Sequence, residues 1–223
     1  MCGRFGYTLV HLKDGTQKWV RMVQEWENFN FAELEKSFSD HSLTEIHPGA
    51  VAPILLYQKN KRQLSFARWG VHPDWSPKLI FNTRSEKLFS SNVWEKSAKF
   101  HRCIVPCSHF YEWKSENGTK VKYKISPKSG EWFCFAGIWG INEDTKDSLP
   151  WFSILTQEGN SLMKSIHNSG GNRGRQPVHL TENIWSSWLD TTIQQESIIQ
   201  TMILQYNSEF LTAEPENSEP MLF

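Results

Sequence analysis

Cys2 stands directly behind the initiator methionine, and its place in the chain matters more than its type. Initiator-Met removal generally requires a small second residue, and Cys qualifies, so a processed chain begins with an amine and a thiol on adjacent carbons. An amine attacks an aldehyde to give an imine, and the neighbouring thiol then closes a five-membered thiazolidine. An internal Cys cannot do this, because its nitrogen is an amide. An α-amine of pKa about 8 keeps a usable neutral fraction at pH 7, whereas the thiol needs a base or a positive neighbour to become nucleophilic, and Arg4 is placed to be that neighbour. Position alone favours an incidental residue behind a retained Met1.

Other residues offer acid, base and ligand chemistry. Glu112 lies in the aromatic stretch Phe110-Tyr111-Glu112-Trp113-Lys114, where desolvation raises a carboxyl pKa and makes a general acid; strand alternation puts it with Phe110 and opposite Tyr111 and Trp113, which leaves open whether it faces in or out. His167 has the intrinsic pKa of a proton shuttle. Asn82 and Arg84 share one face of a strand, which reads equally as a polar pair suited to a phosphate or a sugar and as an ordinary exposed face. His101, Cys103, Cys107 and His109 are four zinc-ligand types within nine residues. An extended apolar stretch cannot fold four ligands onto one ion, so buried cysteines are the expected reading and neither a metal nor any other cofactor is expected.

These residues sit in a chain dense in strand signals. Val51–Tyr57, Leu64–Val71, Leu79–Arg84, Arg102–Val105, Phe110–Lys114, Val121–Ser126, Glu131–Ile141, Trp151–Thr156 and Pro177–Leu180 are rich in β-branched and aromatic residues. Asn117-Gly118 reads as a hairpin turn. Glu131–Ile141 is apolar on both faces, as a strand covered on both sides must be. Helices are expected after Asn30, with Phe31, Leu34 and Phe38 on one face, and after Asn160, which delivers His167 at the helix end. Further helices follow Thr181 and carry the stripe Ile198, Ile199, Met202 and Ile203. The expectation is a single α+β domain over residues 1–211, a strongly bent barrel-like mixed sheet with a few peripheral helices, and a flexible tail over 212–223.

Composition narrows the partners. The 223 residues hold 24 basic and 24 acidic side chains with 13% aromatics, which excludes a disordered or histone-like chain but not a local basic groove. Eleven Trp must cover a large core, a stacking surface, or both. The longest apolar run, Phe133 to Ile141, is short for a membrane span, and the first residues lack a secretory apolar region. An intracellular monomer with four cysteines and no disulfide framework is expected.

Five motifs stand in order along the chain: Met1-Cys2-Gly3-Arg4-Phe5, Trp69 to Trp75, Asn82-Thr83-Arg84-Ser85-Glu86, Arg102 to Pro106 with Phe110 to Trp113, and Ile166-His167 with Pro177-Val178. Together they resemble the SRAP family, the SOS-response-associated peptidase-like proteins that process abasic sites in single-stranded DNA. The resemblance implies an SRAP-like fold. It also implies a thiazolidine DNA–protein crosslink between Cys2 and the open-chain abasic sugar, with Asn82, Glu112 and His167 as the other catalytic residues. Crosslink reversal and weak strand-cleaving lyase activity would follow from the same chemistry. Arg4, Arg84 and Arg175 are the implied phosphate partners, with Trp69 or Trp75 as a stacking wall for a neighbouring base. The expected partner is single-stranded DNA containing abasic sites, and the expected location is the cytoplasm, or the nucleus in a eukaryote. The alternatives are a thiol peptidase that uses Cys2, on itself or on other chains, and a non-catalytic single-stranded DNA reader. The chain departs from the family pattern in three places. His167 is followed by Asn168-Ser169-Gly170-Gly171-Asn172-Arg173-Gly174-Arg175 in place of Asp-Arg-Met-Pro, Glu45-Ile46-His47-Pro48-Gly49 replaces Asn-x-Ala-Pro-Gly, and the Val-Asn-rich closing segment has no counterpart.

Overall fold

Asn117 and Gly118 both take positive φ, 49° and 83°, and so make the two-residue turn whose twist matches that of the strands it joins. The computed structural model describes residues 2–7, 45–58, 61–74, 76–90, 92–130, 132–141 and 149–216. In chain order its elements are β1 (Arg4–Gly6), β2 (Val51–Gln58), β3 (Lys61–Trp69), β4 (Asn82–Arg84), α1 (Asn92–Phe100), β5 (Arg102–Cys107), β6 (His109–Glu116) and β7 (Thr119–Pro127). They continue with β8 (Phe133–Gly140), β9 (Trp151–Glu158), α2 (Ser161–Ile166), β10 (Arg175–Pro177), α3 (Glu182–Leu189), α4 (Glu196–Thr201) and β11 (Leu211–Pro215). The helix expected after Asn30 and the indole of Trp75 lie outside the described residues.

The larger sheet closes on itself. Its strands run β9-β3-β2-β5-β8, and β8 pairs β9 again, which completes a ring. β9 takes β8 and then β10 along one edge and β3 and then β4 along the other, since Ile154 is paired with both Gly137 and Asn82. The smaller sheet, β1-β6-β7-β11, joins the same core through Phe5, Phe110, Ile125 and Leu211. This is the single bent-sheet α+β domain expected from the sequence.

Strand alternation divides the apolar residues between two clusters. Ile54, Leu56, Cys103, Val105, Phe133 and Phe135 point to one, while Leu55, Ile104, Cys134, Ala136 and Ile138 point to the other, which packs under α1, α3 and α4 through Trp94, Ala98, Trp188, Leu189 and Ile199. All eight residues of β8 are buried, which accounts for the unbroken apolar run in its sequence. Packing inside the ring is tight: a Cβ on Gly137 would come within 2.7 Å of the Cys103 sulfur. Cys103, Cys107 and Cys134 are fully buried thiols, and no cluster of His, Cys, Asp and Glu with metal-site geometry occurs among the described residues.

Arg102 is also buried, 1% exposed, and feels the Asp190 charge without a direct ion pair among the described residues. It donates instead to main-chain carbonyls at the ends of two helices: Ala98 at 2.7 Å and Lys99 at 2.9 Å in α1, Trp188 at 2.5 Å in α3, and Asp190 just beyond it. These are carbonyls that a helix cannot satisfy internally, at the end where the dipole favours a cation.

Several elements differ from expectation. α1 was not anticipated. The strand expected over Leu79–Arg84 shrinks to Asn82–Arg84 with a single bridge at Ile80, and that at Pro177–Leu180 moves back to Arg175–Pro177, followed by a bridge at His179. The tail expected to begin at Thr212 is ordered over its first residues, because β11 pairs with β7 from Leu211↔Pro127 to Pro215↔Tyr123.

Candidate active site

β1 is an edge strand that delivers the chain start into the core. Its register is held on one side by β6, with Arg4 opposite Tyr111 and Phe5 opposite Phe110, and on the other by paired main-chain hydrogen bonds between Phe5 and Ile46. Phe5 is buried edge-on against Trp69, with centroids 4.8 Å apart. Cys2 is therefore fully buried, its thiol donating to the Arg4 carbonyl at 3.5 Å.

Asn82 reaches Cys2 from the start of β4. Its Nδ2 donates to the Cys2 carbonyl at 2.7 Å. Its Oδ1 is buried and has no hydrogen-bond donor among the described residues. β4 is seated on β9 by parallel pairing and by the Thr83–Ser153 hydroxyl contact at 2.9 Å.

Glu112 faces inward from β6, 3% exposed, and His167 stands at the end of α2, as the sequence predicted. His167 Nδ1 lies 3.8 Å from Glu112 Oε1. The position of α2 is set by Asn160, whose side chain caps the helix by accepting from Met163 N at 2.9 Å while its own N–H donates to Gln176. Beyond the helix, His167 O accepts from Gly174 N at 2.7 Å. Residues 168–173 are thus an excursion from a closed base.

The electrostatics follow from burial. Desolvation pushes the Glu112 carboxyl up to about 6 and the His167 imidazole down to about 4, so near neutrality the histidine is uncharged and the glutamate is the group poised to exchange a proton. Burial, reinforced by the nearby Glu112 charge, raises the Cys2 thiol far above its ordinary range. Cys2, Asn82, Glu112 and His167, drawn from four separated parts of the chain, thus share one buried locus.

The arginines singled out from the sequence are each engaged within the protein, Arg84 exposed and Arg4 and Arg175 partly buried. Arg84 donates to Asn172 Oδ1 at 2.6 Å. Arg175 forms a two-pronged pair with Glu86 at 3.1 and 2.8 Å and also donates to the Thr156 carbonyl at 2.6 Å. Both line an open depression of about 330 Å³ with Arg173, Glu86 and Glu158. Arg4 pairs with Glu45 and lies over the Trp113 ring, 5.3 Å from its centroid.

Trp69 requires correction as a stacking wall. It is 0% exposed, its indole N–H donates to the Phe81 carbonyl at 2.8 Å, and Phe5 and Phe81 close on it edge-on. A base cannot reach it. Sequence reasoning also missed Asn168, whose amide accepts from Ser115 N at 2.8 Å and donates to Ser115 O at 3.0 Å. It thereby copies a strand's hydrogen bonds and ties the residue after His167 to the strand that carries Glu112. No spacing rule announces such a contact.

Comparison with known proteins places this geometry in context. A family model described as SOS response associated peptidase (SRAP) matches residues 1–219. Abasic site processing protein YoqW of Bacillus subtilis is 28% identical over 239 residues, covering 100% of this chain and 98% of that protein. Abasic site processing protein YoaM of the same organism is 30% identical over 222 residues, covering 96% and 89%. A crystal structure of a protein from Bacteroides thetaiotaomicron superposes with a TM-score of 0.77 at 22% identity, over 97% of this chain and 93% of that one.

Proposed function

The chain belongs to the SOS response associated peptidase (SRAP) family, and from that premise we propose that it processes abasic sites in single-stranded DNA by joining Cys2 to the ring-opened sugar as a thiazolidine. The observation that carries this reading is the convergence on Cys2: Asn82 holds its carbonyl at 2.7 Å, and a buried Glu112–His167 pair stands beside the same locus.

The chemistry requires Met1 to be removed, which frees the Cys2 amine. Glu112, protonated in a useful fraction because its pKa is lifted, gives a proton to the ring oxygen of the abasic sugar as the aldehyde opens. The amine adds to the aldehyde carbon, and loss of water leaves an imine. The thiol then adds across the C=N bond, sulfur to carbon and proton to nitrogen, closing the five-membered ring. Asn82 orients the amine through the Cys2 carbonyl, and its Oδ1 accepts from the amine or from a sugar hydroxyl. Neutral His167 relays protons between Glu112 and the reacting atoms. Run backwards, the same acid reopens the ring, and β-elimination from the imine cleaves the strand as a slow side reaction.

The buried, un-ionised thiol supports ring closure onto an imine over a thiolate attack on peptide bonds, since thiolate is the attacking form in the latter. The test is a labelled single-stranded oligonucleotide with one abasic site. A denaturation-resistant adduct, with a mass equal to Met1-free protein plus DNA less one water, is expected from the wild-type protein and absent with Cys2→Ser. Reversible binding that ignores the aldehyde would instead indicate a non-catalytic reader.

A further inference from the structure

The outer face of the smaller sheet carries a cluster that the catalytic chemistry leaves unused. Register and alternation place Arg4, Tyr111, Trp113 and Lys122 on that face, opposite Phe110 and Glu112. Lys122 Nζ lies 3.9 Å from the Tyr111 ring centroid, and Arg4 lies over Trp113. A single carboxylate bridges the two cations: Glu45 Oε1 accepts from Arg4, and Glu45 Oε2 accepts from Lys122 at 2.7 Å. Lys122 also meets Glu216 at 2.6 Å. Against the cost of partial burial, the hydrogen bonds from Arg4 and Lys122 hold the Glu45 carboxyl below its ordinary value.

Two cations on adjacent aromatic rings, spanned by one anion through both of its oxygens, form the arrangement that the two non-bridging oxygens of a phosphodiester would satisfy equally. Half-exposed ion pairs contribute little to folding, so stability alone gives the cluster little purpose. It begins two residues from Cys2, and Lys124 continues the same face with Glu214 opposite it on β11. We propose that Lys122 completes a phosphate site beside Arg4, whose phosphate contact was already expected from the sequence, and that Glu45 fills this site in the free protein and is displaced when the DNA strand flanking the lesion binds. Glu45 is thereby a determinant of affinity, standing where the family pattern has an uncharged Asn. This inference rests on the proposed single-stranded DNA reading.

The experiment measures binding of an unmodified single-stranded oligonucleotide by fluorescence anisotropy across a salt series. Glu45→Gln is expected to bind about three- to tenfold more tightly at low salt, the scale of releasing two half-exposed ion pairs. Lys122→Gln is expected to bind more weakly, with a logarithmic salt slope reduced by about 0.7, the loss of one phosphate contact on a single strand. Glu45→Asp, which keeps the charge but is too short to span both cations, should fall between wild type and Glu45→Gln. Thermal unfolding confirms that each variant is folded. Affinity of Glu45→Gln equal to or below wild type, or an unchanged slope for Lys122→Gln, overturns the proposal. Adduct formation by the wild type on the abasic oligonucleotide separates the two failures. With the adduct present, a null result for Glu45 rejects this site alone, whereas absence of both adduct and binding rejects the functional reading.

Discussion

The amide of Asn82 and the carbonyl of Cys2, eighty residues apart in the chain, are joined by a 2.7 Å hydrogen bond. Cys2 is therefore held in place by a side chain on another strand. Replacing Asn82 by Asp substitutes an acceptor for the donor and sets two oxygens against each other. Single-turnover adduct formation on an abasic oligonucleotide should slow by about 10²-fold, the scale of a small misplacement of reacting groups. A rate within threefold of wild type would remove Asn82 from the positioning role.

Glu112→Gln should have opposite effects on stability and chemistry. A buried carboxyl raised from 4.5 to about 6 binds its proton more tightly folded than unfolded, so folding stability declines as pH rises from 4.5 through 6 and the penalty is complete above that. That rise corresponds to about 2 kcal/mol. Glu112→Gln should therefore raise the melting temperature by several degrees at pH 8 and by little at pH 4.5. Adduct formation and reversal should slow by about 10²-fold or more. Calorimetry at both pH values, paired with adduct kinetics, tests the trade.

Acid sensitivity should arise partly from His179. Desolvation lowers its pKa to about 4, so the unfolded chain takes up the proton first, and stability is intact above pH 6.5 and lost progressively as pH falls toward 4. That depression sets a ceiling of about 3 kcal/mol. His167, depressed by burial in the same way, contributes in the same window. His179→Phe should flatten the pH dependence of denaturant unfolding between pH 6.5 and 4 without abolishing it. An unchanged slope would show that His179 protonates as readily folded as unfolded.

Asn168→Asp retains the acceptor for Ser115 N but sets a carboxylate oxygen against Ser115 O, releasing one of the two tethers. Because the tether fixes His167 against Glu112, the pH midpoint of adduct reversal, which reports Glu112, should shift along with the rate. Asn168→Gln, longer but with the same amide, should recover part of it. A rate loss with an unmoved midpoint would indicate a merely structural contact.

How much of this was legible in advance depended on the range of the interaction. The Asn117-Gly118 turn, the Asn160 cap that delivers His167 and the doubly apolar β8 are local patterns, and each appears where the sequence placed it. α1 was missed because its apolar contacts are reduced to Trp94 and Ala98 on an otherwise polar segment. β11 was missed because Glu214 and Pro215 suit a solvated edge strand as well as a tail. The inward orientation of Glu112, which alternation left open, is decided by β6 packing onto the ring through Phe110. The burial of Trp69 and the bridge from Glu45 to Arg4 and Lys122 depend on segments that meet only in the fold.

The buried Arg102 has a consequence for any attempt to shorten the chain. Its acceptors come from two distant stretches of the chain, residues 98–99 and 188–190. A truncation ending before α3 would strand a guanidinium in an apolar interior with half of its acceptors gone. A lysine in its place has one ammonium point for carbonyls spread around a planar fork. The segment after residue 180 is therefore no detachable appendix to the strand ring, and a minimal version of this protein has to keep it.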